Sequence, residues 1–561
     1  MEQMFSTCRI KNSRFYYNKL FEDYTFDFPK LKKYFRYDPY DIESYRDRIK
    51  KIAGSYDDSN REVLADILRE NNKYHGVGGR TFENIDKLAC RDSVIIIGGQ
   101  QPGLFTGPAF IIYKIITVLR LSKYIEERTG ASVVPCFWNA SDDKNSAQTD
   151  NLGIIDDRYR QVKINMGSAG TNMRLSNISL PLSDYENVIK EMDALMPGGL
   201  GGEVRTLLMD ILSGLSKKAG TYDGRIGSSQ LFSSIVLKLF SEWGPVIIDP
   251  SDKRLKELGS AFLKKDIEEH GAINDLISDR GDELVKSGYH AQIDPQRDSL
   301  DFFYNIGNKR EKINIMSESV FKIGDKDHSR EELLELAGSD PSAVSWNVVL
   351  RPLIRDSLFP VAAAVCGPGE VSYFAQLTEV YKYMGIELPV IYPRFSATIV
   401  ESRIEKILKK PGMTDILISQ EKDDVIRSVL REKGSEKIER LLGDLQKGID
   451  KKIEDAESKI KIYGPDPENA FDRIKRNVDK ELKILSKKLY SKLKKQNQDI
   501  IDDINKIHLN IFPDGKLQER MINIFYYLNK YGIDMISGLY YSFEPLDSGH
   551  RFLYFNRGER K

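Results

Sequence analysis

The sequence predicts an α/β fold followed by a long antiparallel helical hairpin. Short β-branched runs end at glycine or in a polar turn and lead into segments with helical spacing of apolar residues, and this pattern occurs in three blocks. After Glu401 the composition shifts to Lys, Glu, Asp, Ile and Leu, with apolar residues three and four positions apart. With 561 residues the chain is long enough for several domains.

The first block begins with "SVIIIGG" (93–99), which is typical of a buried parallel strand that stops at glycine. Gly130 is placed as the C-cap of the following helix, whose apolar residues recur at helical spacing: Ile112, Ile115, Ile116 and Leu119. "ASVVPCFWNAS" predicts a second strand that runs into a polar loop at 141–150. Such loops, at the carboxyl ends of parallel strands, are where α/β folds bind ligands.

Two further α/β blocks follow, "GPVIIDPSD" (244–252) and the segment from "LFPVAAAVCGPGEVSYFAQL" to "LPVIYPRFSATIV". The stretches at about 155–240 and 275–345 interrupt the pattern, and we expect them to be insertions. The second contains "DFFYNIGNKREKINIM", which favours antiparallel strands. We therefore assign the core to residues 91–400, and residues 1–90 to an N-terminal helical segment packed on that core.

A hairpin of two long helices is predicted within residues 401–510, and residues 511–561 are expected to return to the core. The apolar stripe breaks at "YGPDP" (463–467) and then resumes, which is typical of an antiparallel coiled coil. The alternative is a pair of surface helices packed on the core. The stripe consists of Leu442, Leu445, Ile449, Ile453, Ala456, Ile460, Ile474, Val478, Leu482, Leu485, Leu489 and Leu493.

The apolar stripe of the hairpin is wider than one helix pair needs. Leu441, Ile462 and Ile484 lie beside it. Soluble proteins rarely leave such a patch exposed, and a two-fold axis would cover the same patch on both chains. We therefore expect a homodimer formed through the hairpin.

Composition and charge exclude several function classes. Lys plus Arg and Asp plus Glu both number 84, so no basic excess predicts nucleic-acid or anionic-membrane binding. The four cysteines form no C-x-x-C pair and the six histidines show no triad or metal spacing, so we expect neither disulfides nor a structural metal. No apolar run is long enough to span a bilayer and no signal peptide is recognised, and a cytoplasmic protein is expected.

The loop after the first strand is the first candidate site. Gly98 and Gly99 permit close approach of a ligand, and Gln100 and Gln101 offer donors and acceptors. The helix that opens at Gly107-Pro108, just after Thr106, presents unpaired N–H groups that suit a phosphate or carboxylate, and Lys114 adds a charge. The alternative is a tight turn whose glycines serve packing only.

The turn Gly367-Pro-Gly369 is the second candidate site. Glu370, Tyr373 and Gln376 follow on the emerging helix, and Glu370 is expected to point into the same crevice as the first loop. Glu370 acts as a base toward an amine or holds it as ammonium, or it is a first-turn carboxylate stabilised by the helix dipole. Cys366 has no histidine nearby in the sequence and is expected to be a packed residue.

Two acidic residues and one arginine segment complete the candidates. Asp142 and Asp143 either hold Mg²⁺ with a nucleotide, bind an amino group, or form a solvated acidic loop. "RPLIRD" (351–356) supplies arginines near the third block, and "YPRFSAT" supplies Arg394 and Ser396 as ligand contacts.

Several of these motifs occur in the same order in one family. "IGGQQPGLFTGPAFIIYK", "VVPCFWNASDD", "VLRPLIRDSLFPVAAAVCGPGEVSYFAQL", "LPVIYPRFSAT" and "IFPDGKLQERMINIFYYLNKYG" resemble the bacillithiol-biosynthesis cysteine-adding enzymes, from about residue 90 to 540. The resemblance implies a Rossmann-like core with inserted connecting segments, and an α-helical coiled coil through which the family dimerises.

The resemblance also implies a reaction. The family's inferred activity joins the carboxyl group of cysteine to the amine of glucosaminyl malate, an amino-sugar malate conjugate, to form bacillithiol. A free carboxylate must be activated before it forms an amide, so ATP with Mg²⁺ is expected. We assign catalytic roles to Gln100, Gln101, Asp143 and Glu370. The assigned substrate- or nucleotide-binding residues are Gly99, Thr106, Gly107, Lys114, Asp142, Gly367, Gly369, Tyr373, Gln376, Arg394 and Ser396.

This chain departs from the family's pattern in one loop. Where the family has a Glu-Asp-His-Asp-Phe run, this chain has Asp142-Asp-Lys-Asn-Ser146, so Lys144 and Asn145 replace a histidine and an aspartate. Gly98 and Cys366 are smaller changes. The alternative function is therefore a non-catalytic homologue that binds a nucleotide or metabolite and works as a dimeric interaction protein.

Overall fold

A computed structural model describes the parts of the chain that carry the fold. The described residues are 4–10, 15, 18–76, 78–144, 147–156 (147 and 148 as backbone only), 158, 160–166, 173–307, 309–410, 422–464 and 469–556. They belong to two compact units: the core unit, residues 1–400 with 517–561, and the helical unit, residues 401–516.

The strands are numbered in chain order. They are β1 (Phe5–Ile10), β2 (Ser93–Gln100), β3 (Ser132–Asn139), β4 (Asn151–Ile155), β5 (Gln161–Asn165), β6 (Ser179–Leu180), β7 (Ile226–Gly227), β8 (Val246–Ile248), β9 (Ser299–Ile306), β10 (Lys309–Ser317), β11 (Val320–Ile323), β12 (Lys326–Ser329), β13 (Val344–Trp346), β14 (Val361–Cys366), β15 (Val390–Pro393), β16 (Ser396–Val400) and β17 (His550–Phe555).

The α-helices are numbered in the same way. Those of the core unit up to the second insertion are α1 (Lys19–Phe26), α2 (Ile42–Ser55), α3 (Arg61–Tyr74), α4 (Gly79–Ala89), α5 (Phe110–Thr129), α6 (Ala147–Asp150), α7 (Leu182–Leu195), α8 (Gly202–Ala219), α9 (Ser228–Leu239), α10 (Lys253–Leu258) and α11 (Ser260–Lys286). The others are α12 (Arg330–Ser339), α13 (Leu350–Leu358), α14 (Pro368–Tyr383), α15 (Ser402–Leu408), α16 (Lys422–Leu430), α17 (Glu436–Ile460), α18 (Ala470–Gln496), α19 (Gln498–Ile511), α20 (Gln518–Met521), α21 (Ile524–Tyr531) and α22 (Met535–Ser542).

A parallel sheet forms the centre of the core unit, and it confirms the predicted fold class. Its strand order is β15-β14-β2-β3-β8, and every neighbouring pair is parallel. β2 and β14 are buried along most of their length, as their β-branched and alanine residues predict. Helix α5 packs on β2 and β3 and ends at Gly130 with φ 75°, the predicted C-cap. The loops after β2, β3 and β14 therefore emerge side by side at the carboxyl edge of the sheet.

The interrupting segments form small elements around this sheet. The first contains the antiparallel pairs β4–β5 and β6–β7 with helices α7 and α8. The second contains the antiparallel sheet β12-β11-β10-β9-β13, which confirms the expected antiparallel strands. These strands begin only at Ser299, because α11 continues to Lys286.

The two ends of the core unit meet in a third sheet, and here the structure differs from the expected N-terminal helical segment. β1 pairs antiparallel with β17, which pairs parallel with β16. Within β1 only Phe5 is buried, so the strand has no apolar alternation that would reveal it in the sequence. Its pairing comes from residues more than 500 positions away, and the rings of Phe5 and Phe555 lie 4.6 Å apart between centroids. Helices α1 to α4 follow as expected.

Two long helices dominate the helical unit, and they confirm the predicted coiled-coil hairpin. α17 packs against α18, and the turn between them includes Gly464 at φ 136°. Residues 465–467 of the predicted break lie outside the described residues. An apolar groove along the hairpin is lined by Leu445, Ile449, Ile453, Phe471 and Ile474, among others. Of the helices in the described part of the chain, none is both long and apolar enough to cross a lipid bilayer.

A buried histidine in the sheet formed by β1, β17 and β16 should make the stability of the protein depend on pH. His550 is fully buried, with Nδ1 2.8 Å from Ser396 Oγ and Nε2 2.9 Å from Thr398 Oγ1. Burial lowers the pKa of His550 from 6.5 to about 4. Between pH 6.5 and pH 4 this histidine is therefore protonated in the unfolded chain but neutral in the folded chain. The free energy of unfolding falls as the pH drops through this range, by up to about 1.4 kcal/mol per pH unit.

We expect His550→Gln to reduce the pH dependence of the unfolding free energy between pH 7 and pH 5, measured by urea unfolding. His290→Gln, at an exposed histidine, is the matched control and should keep the wild-type dependence. The same slope in wild type and His550→Gln would show that His550 is not the group responsible.

Candidate active site

The loop after β2 has a strained backbone. Phe105, Thr106 and Gly107 have consecutive φ values of 43°, 74° and 68°. The left-handed region is costly for residues other than glycine, and such residues cluster at functional sites. Asn523 holds the loop in place, because its Nδ2 donates to the carbonyls of Phe105 at 2.9 Å and Gly107 at 2.8 Å. A Cβ atom at Gly103 would lie 2.7 Å from Gly107 Cα, so the loop needs glycine there.

The start of helix α5 differs from the expected anion site at Gly107-Pro108. The N–H of Ala109 donates to Ile522 O at 2.9 Å, so a protein carbonyl lies where a ligand's oxygen was expected. The chain returning from the helical unit supplies that carbonyl, and it is fixed to the core by a bond of 2.8 Å from Asn523 N–H to Gly153 O. The hydroxyl of Thr106 is buried without a hydrogen-bond partner in the described part of the chain.

Lys114 joins the loops after β2 and β14. Its buried ammonium group donates to Gly99 O at 2.7 Å, to Gln100 Oε1 at 3.3 Å and to Glu370 Oε2 at 2.5 Å. An ammonium group has three N–H donors, so all three are used within the protein. The structure thus differs from the expectation that Lys114 offers its charge to a ligand. It does bring Gly99, Gln100 and Glu370 into one site.

One carboxylate oxygen of Glu370 is held in place by two hydrogen bonds. Oε2 accepts from Lys114 and, at 2.6 Å, from the N–H of Gly367. The side chain is 29% exposed, so its carboxylate is partly accessible to solvent rather than enclosed in the core. Tyr373 lies one turn further along α14, and burial together with the Glu370 carboxylate raises the pKa of Tyr373 well above 10. A Cβ atom at Gly369 would only touch Gln292 Oε1, at 3.9 Å, so this glycine is not required by packing.

The structure excludes the solvated-loop alternative for Asp142 and Asp143. Asp142 is 2% exposed, with Oδ1 2.7 Å from Arg174 Nη2 and Oδ2 paired with Lys256 Nζ. Asp143 pairs with Arg351, lies 3.6 Å from Arg310 Nη1 and accepts from Gln101 Nε2 at 3.2 Å. Cations surround both carboxylates, and their charges oppose a Mg²⁺ ion at these two residues.

We call Arg174, Lys256, Arg310 and Arg351 the cation cluster. Its three guanidinium groups alone outnumber the two carboxylates of Asp142 and Asp143. The Nε atoms of Arg174 and Arg310 are buried and have no hydrogen-bond partner among the described residues. Buried donors without acceptors are costly, and an anionic ligand would satisfy them. The cation cluster is therefore a candidate anion site beside Gln101.

The electrostatics agree with a net positive site. Burial raises the pKa of Asp143, but Arg351 and Arg310 outweigh it and hold that pKa below its ordinary value. Burial lowers the pKa of Arg310 to about 10 despite the attraction of Asp143, and also lowers the pKa of Lys256, with Arg351 and Arg310 adding to the effect. Two aromatic rings cover the cations: Lys256 Nζ lies 3.8 Å from the Trp346 ring, and Arg310 Cζ 3.9 Å from the Phe303 ring.

Three predicted binding residues make contacts elsewhere in the core unit. Arg394 pairs with the buried Glu519 at 2.5 Å, and Ser396 donates to the same carboxylate at 3.0 Å. Gln376 uses its amide on backbone groups, accepting from Ile293 N–H at 2.8 Å and donating to Ile293 O at 2.8 Å. The structure does not bring Gln376 to the other site residues. Arg394 and Ser396 line a small pocket together with Pro368, Phe395 and His550.

Some predicted site features are packing features. A Cβ atom at Gly99 would lie 3.0 Å from Trp138 Cβ, and one at Gly98 would lie 2.9 Å from Val118 Cγ2, so both glycines are needed for close packing. Cys366 is buried, as expected, and burial raises the pKa of its thiol. Lys144 is exposed, whereas Asn145 and Ser146, part of the loop that departs from the family pattern, lie outside the described residues.

Most of the cation cluster is not recognisable in the sequence. Arg351 was noted within "RPLIRD", but Arg174, Lys256 and Arg310 come from three separate segments. Each is a single basic residue with no local pattern around it. Only the fold shows that they converge on Asp142 and Asp143, and two adjacent acidic residues at a strand end were the one available signal.

Comparison with known proteins identifies the family. Residues 5–395 match the family described as "Bacillithiol biosynthesis BshC, N-terminal Rossmann-like domain", and residues 397–555 match "Bacillithiol biosynthesis BshC, C-terminal coiled-coil domain". Proteins named "Putative cysteine ligase BshC" are similar along the chain. The one from Geobacillus kaustophilus is 31% identical over 557 residues, 96% of this chain and 98% of its own length. The one from Salinibacter ruber is 30% identical over 537 residues, 95% of each chain. The chain belongs to the BshC family of bacillithiol biosynthesis.

Proposed function

We propose that this protein is a ligase that joins the carboxyl group of cysteine to the amine of glucosaminyl malate and so forms bacillithiol. The family membership and the relatives' name support a cysteine ligase. The observation that carries the proposal is the cation cluster at the carboxyl edge of the parallel sheet. It supplies more positive than negative charge, and it lies beside the loops that hold Gln101 and Glu370.

The malate part of the acceptor suits the cation cluster. Malate carries carboxylate groups, and guanidinium groups bind carboxylates through paired N–H donors. The buried Nε atoms of Arg174 and Arg310 have no acceptor among the described residues, so a carboxylate there would complete their hydrogen bonding. A neutral sugar would leave these donors unpaired. The charge therefore favours an acidic conjugate over a plain amino sugar.

The chemistry requires an activated carboxyl group. ATP would convert the cysteine carboxylate to an acyl-adenylate with release of pyrophosphate, or to an acyl-phosphate with release of ADP. The amine then attacks the acyl carbon, the new C–N bond forms, and AMP or phosphate leaves with the bonding electron pair. We assign no metal to Asp142 and Asp143, because their cation neighbours oppose it.

Two residues are well placed to act on the amine and the acyl oxygen. Glu370 has one oxygen fixed by Lys114 and Gly367 and is partly exposed, so we assign it the proton that the ammonium group must lose. Gln101 donates to Asp143 and is assigned to orient the substrate carboxyl, while Gln100 is held by Lys114. Asp143 orients Arg351 and Gln101 rather than binding a metal.

We expect purified protein supplied with cysteine, glucosaminyl malate and ATP·Mg²⁺ to form bacillithiol, detected by thiol labelling and mass spectrometry. Arg310→Gln should raise KM for glucosaminyl malate about tenfold or more, because the buried Nε donor that lacks an acceptor among the described residues, and its charge, are lost. Arg297→Gln removes an exposed arginine and is the control that should leave KM unchanged.

Calorimetry with the same compounds separates the proposal from a non-catalytic homologue. Binding of nucleotide or acceptor without any product, under conditions in which a relative turns over, would contradict the ligase. Lys144→His combined with Asn145→Asp should raise the rate only if those two positions have lost a chemical role.

We also propose that the helical unit forms a homodimer. The groove along α17 and α18 is apolar, and Leu445 and Ile474 within it remain 47% and 46% exposed in the single chain. A second copy packed about a two-fold axis would cover the same residues on both chains.

Deleting residues 436–496 and joining the ends with a short Gly-Ser linker should give a folded monomer, since the groove is removed while α15, α16 and α19 remain. Light scattering at micromolar concentration tests this, with the full chain expected as a dimer. A monomeric full chain, or a dimer that survives the deletion, would contradict the proposal.

A further inference from the structure

A second buried cluster of ionisable side chains lies away from the cation cluster, between α11 and β9. Asp266 and His270 are four residues apart on α11 and therefore share a face, and Asp301 lies on β9. All three are buried, with 0%, 7% and 4% of their surface exposed. One carboxylate oxygen of each aspartate and one ring nitrogen of the histidine lie within 4.8 Å of one another.

Each carboxylate is oriented by one of its oxygens and leaves the other without a donor. Asp266 Oδ2 accepts from the N–H of Asp301 at 2.9 Å, and Asp301 Oδ1 accepts from Asn347 Nδ2 at 2.7 Å. Asp266 Oδ1 and Asp301 Oδ2 are buried and accept no hydrogen bond from any described residue. Buried carboxylate oxygens without partners are unfavourable unless a cation or a proton compensates them.

The charge of the cluster is not balanced by neighbouring cations. Among the described residues, no lysine or arginine forms an ion pair with Asp266 or Asp301, and the nearest basic group is His270 Nδ1, 3.6 Å from Asp266 Oδ1. As ligands of an ion, two carboxylates and a neutral imidazole would carry a formal charge of −2, which one divalent cation would neutralise.

We propose that Asp266, His270 and Asp301 bind a divalent transition-metal ion of the Zn²⁺ type. Imidazole nitrogen with carboxylate oxygens is a donor set that Zn²⁺ accepts, at metal–ligand distances of about 2.0–2.2 Å. Tetrahedral ligands at that distance lie roughly 3.3–3.5 Å apart. The separation of 3.6 Å between Asp266 Oδ1 and His270 Nδ1 therefore needs only a small adjustment.

The surroundings of the ligands are those of a metal site. Asn274 Nδ2 lies 2.7 Å from Nε2 and 3.2 Å from Nδ1 of His270, and turning this amide over would place its oxygen where it accepts from Nε2–H and leaves Nδ1 for the ion. Asn347, which orients Asp301, also accepts from the N–H groups of Val349 at 2.7 Å and Leu350 at 3.1 Å. The cluster is thus tied to the start of α13.

This link gives the ion a structural role. Helix α13 carries Arg351, which pairs with Asp143 in the cation cluster. An ion bound at Asp301 would fix Asn347 and the first turn of α13, and so position Arg351. The proposal does not depend on the reaction assigned to the protein, because it concerns only metal binding by the folded chain.

The test is the metal content of the full-length protein, purified without metal-affinity resin from Zn²⁺-supplemented medium and dialysed. We expect about one Zn²⁺ per chain in the wild type, and less than about a tenth of that in Asp301→Asn and His270→Gln. Asp275→Asn, at an exposed aspartate on the same helix, is the matched control and should retain the ion. Circular dichroism confirms that each variant is folded.

A second measurement uses the wild type alone, so that a variant that fails to fold does not decide the question. Protein treated with EDTA is titrated with Co²⁺, which should produce visible absorption bands that saturate at one ion per chain and disappear when Zn²⁺ is added. Folded wild-type protein that neither retains Zn²⁺ nor develops these bands would overturn the proposal and leave a shared proton as the compensating charge. Equal metal content in the wild type and the folded variants would also overturn it.

Discussion

The burial of two adjacent carboxylates at the end of β3 is the constraint on which the site depends. Asp142 and Asp143 are largely shielded from solvent. The cost of desolvating a carboxylate is offset only by close cations and hydrogen bonds. The loop after β2 supplies one hydrogen bond, from Gln101 to Asp143. The cations come instead from the first insertion, from α10, from β10 in the second insertion and from α13. The inserted segments are therefore part of the site and not additions to its surface.

A second set of contacts closes the core from the other end of the chain. Residues after the helical unit return to the core, where Asn523 holds the strained loop after β2 and Glu519 pairs with Arg394. Glu519 is fully buried, and Arg394 holds its pKa below the ordinary value although burial alone would raise it. Removing either partner would leave an uncompensated buried charge. The position of the loop after β2 thus depends on residues about 400 positions away.

The sequence predicts well what local pattern determines. β-branched runs that stop at glycine predict β2, Gly130 ends α5 as expected, and the apolar stripe predicts α17 and α18. The crevice shared by Gln100 and Glu370 also follows, since neighbouring parallel strands end at one edge. These features need only the residues that form them.

What the sequence could not predict depends on distant partners. The carbonyl of Ile522 accepts a hydrogen bond at the start of α5, and the ammonium group of Lys114 pairs with Glu370. The side-chain amide of Gln376 donates to the carbonyl of Ile293. The cluster of Asp266, His270 and Asp301 was missed for the same reason: the spacing of the first two is common on helices, and the third is on a strand. In each case the signal is a contact between segments, which no local spacing contains.

Calorimetric titration of the full chain with malate measures, without any reaction, whether the cation cluster binds the carboxylates of the acceptor. We expect about one malate to bind per chain, with an affinity that weakens as salt is added and that falls about tenfold or more in Arg310→Gln but not in Arg297→Gln. Malate that fails to bind the wild type, or that binds Arg310→Gln equally well at every salt concentration, would contradict it.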